Sequence, residues 1–115
     1  MSFSVLSVSP WLSSLSLAYA APLGMTYYFG RLLPEYRGAL IVGYHGYRAK
    51  GHRIVVFETD SSGLPTGKVS ELVAGSDAAE GRSMGAPTDL KVGADGAIYV
   101  TEERNGTVLR IARHE

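Results

Sequence analysis

An all-β chain made of two antiparallel meanders is predicted, and three observations predict it. First, β-branched and aromatic runs of strand length recur along the 115 residues, as in ALIVGY (39–44), HRIVVF (52–57) and AIYVTE (97–102). Second, clusters of Gly, Pro, Asp and Asn separate these runs, where turn chemistry is needed. Third, GALIV from Gly38 resembles GAIYV from Gly96. Each copy is followed by a polar loop and a second strand, HRIVVF in one case and TVLRIA in the other.

The elements follow in order. Residues 25–29 (MTYYF) read as a strand, because Thr, Tyr and Phe favour a pleated, half-buried surface. RLLPEYRG (31–38) is a loop punctuated by Pro34 and Gly38. ALIVGY has no polar alternation, which suits a strand buried on both faces. HGYRAKG (45–51) is a polar loop, and HRIVVFET (52–59) is the next strand. DSSGLPTG (60–67) is a turn cluster. KVSELVA (68–74) is a fourth strand or a short helical turn. GSDAAEGRSMGAP (75–87) is the least structured stretch and the best boundary. TDLKVG, AIYVTE and TVLRIAR then form three strands. Ala94-Asp95-Gly96 joins the first two and Arg104-Asn105-Gly106 the second pair, both suited to tight hairpins.

Composition narrows the functional classes. Eleven basic and eleven acidic residues cancel, and the basic ones form no run, so the footprint of a nucleic-acid binder is missing. There is no cysteine, which excludes disulfides, thiolate nucleophiles and Cys-ligated metals. Asp60, Asp77, Asp89 and Asp95 lack EF-hand spacing, and Asp60 and Asp95 read as turn residues. His52 and His114 read as surface residues, and three histidines without ligand spacing make no zinc site. No phosphate loop or nucleophile elbow is visible.

Residues 1–20 (MSFSVLSVSPWLSSLSLAYA) carry no charge and end in Ala18-Tyr19-Ala20. They read as a cleavable export signal or as a strand-like or disordered extension, and they are too polar for a membrane span.

Two related meanders at this spacing suggest propeller blades, which recur at roughly 40–50 residues. The expected architecture is two antiparallel β-meander blades of an incomplete β-propeller over residues 21–113, with four strands in the first blade and three in the second.

Residues 21–67 and 85–113 resemble the C-terminal end of the glucose/sorbosone dehydrogenase family, soluble quinoproteins that use pyrroloquinoline quinone (PQQ). The resemblance rests on Ala21-Pro22-Leu23-Gly24, on Pro34 with Tyr36-Arg37-Gly38, on Tyr44-His45-Gly46 after a buried strand, and on the run from Asp89 to Val100. It implies a six-bladed propeller that oxidises aldoses or sugar aldehydes, passes electrons to an acceptor, is assisted by calcium, and works in the periplasm or outside the cell. It implies that this chain holds about the last two blades. The family's general-base histidine lies in an earlier blade and has no counterpart here, so the chain alone is not expected to catalyse. The resemblance makes His45 a cofactor-face residue, with Tyr44 and Arg48 beside it. Where many members direct an arginine at the quinone carboxylates this chain has Ala86, and Arg82 is the nearby substitute. A complementing chain or self-association would restore a ring. The alternative is a non-catalytic binding or structural module of the same architecture.

Overall fold

The computed structural model describes residues 21–45, 53–73 and 86–113. Seven strands carry almost all of its regular structure. They are β1 (Ala21–Tyr27), β2 (Leu40–His45), β3 (Arg53–Thr59), β4 (Pro65–Val73), β5 (Pro87–Val92), β6 (Ile98–Glu102) and β7 (Thr107–Ile111). A single 3₁₀ turn spans Pro34–Tyr36. The strands form two antiparallel sheets in sequential order, β1-β2-β3-β4 and β5-β6-β7, and neither sheet closes on itself. The expected all-β class and the two meanders of four and three strands are therefore present. No helix among the described residues is long and apolar enough to cross a membrane.

β2 is buried on both faces, as its unbroken apolar run predicted, and the core of β3 is buried on both faces as well. Ile41, Ile54 and Val56 face the second sheet and pack with its Leu90, Ile98 and Val100. Val42, Tyr44, Val55 and Phe57 form a separate cluster with Leu40 and Val69 against it. Burying each such aliphatic side chain contributes about 1.5–3 kcal/mol.

The first strand begins at Ala21, four residues before the expected start, and ends before Phe29. Pro22 and Gly24 are poor strand formers, but pairing with β2 overrides their propensity, with a bulge between them. Of the segment 68–74, left open between strand and helical turn, residues 68–73 belong to a strand that starts at Pro65, and Ala74 lies outside the described residues. Register shifts along the β3–β4 pair absorb the irregular run of Pro65 and Gly67.

The sheets meet most closely where Gly24 and Gly43 pair across β1 and β2. A Cβ on Gly24 would fall 2.7 Å from Asp89 Cα, and one on Gly43 would fall 3.1 Å from Pro87 Cβ. Two glycines side by side thus make the recess into which β5 settles. At the far end, the fully buried Tyr28 ties the sheets together. Its hydroxyl donates to the Gly96 carbonyl at 2.6 Å and accepts from the Leu33 N–H at 3.0 Å. Gly96 sits at φ +84°, which glycine tolerates, and so presents that carbonyl.

The turn residues behave as the sequence predicted. Asp60 Oδ1 accepts from the backbone N–H groups of Ser62 and Leu64. Asp95 accepts from the Ala97 N–H, the Tyr99 hydroxyl and Arg110. Those donors hold its carboxyl below the usual range, the Ala97 N–H most of all.

Candidate functional site

One end of the two sheets gathers most of the candidate residues. β2 ends there at His45 and β3 starts there, since Tyr44 pairs with Arg53. β4 ends there, Val73 lying opposite Ile54. β5 starts there at Pro87 against Gly43, and β6 hands over to β7 there through Glu103–Gly106. The connections 46–52 and 74–85 therefore both leave from and return to this end. Arg48 and Arg82, expected at the cofactor face, belong to those connections and lie outside the described residues. The same holds for Asp77.

Tyr44 and His45, the other two expected residues, occupy the last two positions of β2 and point to opposite faces by the alternation of a strand. Tyr44 is 2% exposed and belongs to the apolar cluster on the face away from the second sheet. Its position is that of a packing residue. His45 points toward the second sheet, where its Nε2 lies 2.6 Å from Glu103 Oε1. The imidazole is largely covered and the carboxylate half-exposed. The contact is an ion pair when the ring is protonated. When the ring is neutral it is a hydrogen bond donated from Nε2–H to the carboxylate.

Glu102, the neighbour of Glu103, was not foreseen. It is 3% exposed, the one charged side chain in the core among the described residues. Its Oε1 accepts from the N–H groups of Ala86 at 2.7 Å and Arg104 at 2.6 Å. Its Oε2 accepts from the Asn105 N–H at 3.0 Å and the Thr107 hydroxyl at 3.1 Å. Burial pushes its pKa up, but these donors outweigh burial and hold it below the ordinary glutamate value. The carboxylate therefore stays charged. It closes the β6–β7 turn and anchors the chain where it enters β5, and so sets the position of Glu103 against His45. The sequence carried a signal for it. Ile98, Val100 and Glu102 alternate on one face of β6, so a carboxylate occupies an inward position and requires donors. Glu103 had no such signal, because its partner is 58 residues away in sequence.

A PQQ site must neutralise carboxylates, which needs cations. Arg53 at this end is engaged by Glu71 at 2.7 Å, and His45 by Glu103. Ala86, expected from the resemblance to stand where many members have arginine, is fully buried with its N–H committed to Glu102. Arg104, on the β6–β7 turn at the same end, is also engaged. The described residues thus place a ring N–H here but no uncommitted cation for such a group, and they do not fit it by themselves. Calcium has no better seat among them, since no three His, Asp or Glu residues are placed to hold a metal ion. Asp60, Asp89 and Asp95 all serve neighbouring backbone N–H groups. Comparisons with protein-family models, curated proteins and solved structures find no match to the chain.

Proposed function

We propose that this chain is the C-terminal two-blade portion of a sugar dehydrogenase propeller of the glucose/sorbosone type. On this reading it contributes a rim to an oxidoreductase site and does not oxidise sugar alone. The observation that carries the reading is the His45–Glu103 contact between the two sheets, at the end where both long connections leave. A ring nitrogen held by a carboxylate is oriented and can hold a proton at a defined atom. Successive meanders packed face to face, four strands and then three, are what neighbouring blades require. A complementing chain carrying the remaining blades would supply the general base, the calcium ligands and the cations a quinone needs, whereas copies of this chain could close a ring but not supply the base. The sugar and the electron acceptor would meet at that completed face, in the periplasm or outside the cell.

A second reading has its own support. Ala86 stands where many members of that family have a cation and is packed too tightly for a charged side chain to replace it. A non-catalytic binding or structural module of the same architecture would need no such charge.

Titration with PQQ and calcium separates the two, following quinone absorbance. The chain alone is expected to give no saturable change. The chain co-expressed with the first four blades of a family member is expected to bind the quinone and oxidise glucose with an artificial acceptor. His45→Ala should weaken that activity at least tenfold. Assembly without quinone binding would overturn the oxidoreductase reading and leave the module.

A further inference from the structure

We propose that the open edge of β7 is a strand-addition site and that its occupant is the β7 of a second copy of this chain. Two separate sheets leave four edge strands, and an exposed edge invites pairing unless something blunts it. β1 is blunted by Pro22 and by the bulge beside it. β4 begins at Pro65, carries Gly67 at φ +109°, and shifts register twice against β3. β5 begins at Pro87, shifts register between Pro87 and Asp89, and lies against the Gly24–Gly43 recess. β7 has none of these devices. Thr107–Ile111 contains neither Pro nor Gly, and it pairs with β6 in unbroken register. No described strand pairs with its other side. Val108 is 66% exposed and Leu109 41%. Arg110, the one charge in the strand, is held at 3.0 Å by Asp95 of its own sheet and does not guard the edge.

The β7 edge matches itself. A two-fold antiparallel pair sets one residue opposite its own copy. Centred on Leu109, the pairing uses the whole strand: Thr107 meets Ile111, Val108 meets Arg110, and Leu109 meets Leu109. The row of Thr107, Leu109 and Ile111 then continues the core-facing side across the joint, where the two leucines cover each other. On the outer side the aliphatic stem of Arg110 lies over Val108 of the other copy, and no like charges oppose. Centring on Arg110 would oppose two guanidinium groups, and centring on Val108 would draw Gly106 into the ladder. Pairing also satisfies the backbone groups that an edge strand leaves to water, and it joins the two three-stranded sheets into one. Among the edges the chain itself offers, only β7 lacks a blunting device, so only β7 can answer β7. The joint runs edge to edge, unlike the face-to-face packing of blades, and it does not rest on the oxidoreductase reading.

The test is sedimentation equilibrium of the full chain between about 5 µM and 1 mM. The joint is short, at the low end of interface sizes, so a dimer is expected to form near roughly 0.1 mM. Val108→Lys opposes like charges at two symmetric points and should weaken the dimer roughly tenfold, whereas Val108→Glu should strengthen it. Val108 is exposed, so both variants should melt as the parent does when dilute. A second measurement uses the absence of cysteine. Opposed Cα atoms in an antiparallel pair lie about 4.5–5.5 Å apart, within disulfide reach. Mild oxidation should therefore cross-link Leu109→Cys at least about tenfold faster than Thr66→Cys on the β4 edge. A monomer throughout the range, a dimer indifferent to both Val108 variants, or equal cross-linking of the two cysteine variants would overturn the proposal. So would β7 amides already protected from hydrogen exchange in the dilute monomer, since another segment of the same chain would then occupy the edge.

Discussion

Replacing Glu102 by Gln tests whether the buried carboxylate organises the candidate site. The variant keeps one carbonyl oxygen for the Ala86 and Arg104 N–H groups. At the other position it places an NH₂ against the Asn105 N–H, donor facing donor, while the Thr107 hydroxyl can turn to accept. Hydrogen bonds to a charged acceptor are worth roughly 1.5–3 kcal/mol and neutral ones about 1. Water can re-solvate Asn105 on the exposed turn, but the buried Ala86 N–H is left with a neutral acceptor in place of a charged one. The expected loss is about 2–3 kcal/mol at pH 7, a large share of the roughly 5–15 kcal/mol of a typical domain. Urea unfolding followed by circular dichroism measures it. The acid dependence gives a second reading. Glu102 has a lowered pKa in the folded chain, so its contribution is complete above the unfolded glutamate value of about 4.3. That contribution disappears as pH falls through the lower folded value. The gap between parent and variant should therefore be widest near neutrality and shrink below about pH 4. A gap under about 0.5 kcal/mol, or one constant from neutral to acid pH, would refute the reasoning.

Two further outcomes probe the contact between the sheets. Tyr28→Phe leaves the Leu33 N–H and the Gly96 carbonyl without their shared hydroxyl. It should lower stability by about 1–3 kcal/mol, roughly 4–8 °C in Tm per kcal/mol, and a melt within 2 °C of the parent would contradict the staple. Gly24→Ala drives a methyl group toward the Asp89 backbone and should cost at least about 2 kcal/mol. Gly106→Ala meets open space and should cost only about 1 kcal/mol for its positive φ. Equal costs for the two glycines would show that β5 does not occupy the Gly24–Gly43 recess.

Local chemistry made much of the fold legible. The apolar run of β2 announces a strand buried on both faces, because no polar residue interrupts it, and HRIVVF announces the next strand. Asp60, Asp95 and Gly96 announce their turns, because a side-chain acceptor or a positive φ acts within a few residues. The same reasoning failed at β1, where pairing with β2 extends a strand through Pro22 and Gly24 against their own preference. The candidate site was legible only in part. His45 could be named, and the inward register of Glu102 was open to a strand-alternation argument. The carboxylate of Glu103 on the His45 ring and the glycine recess under β5 were not readable. Each joins residues far apart in the chain, and only the packing of one sheet on the other brings them within reach. Sequence sets which residues prefer strand, turn or core, because those preferences are local. Tertiary structure alone decides which side chains become partners, because hydrogen bonds and steric contacts act over only a few ångströms.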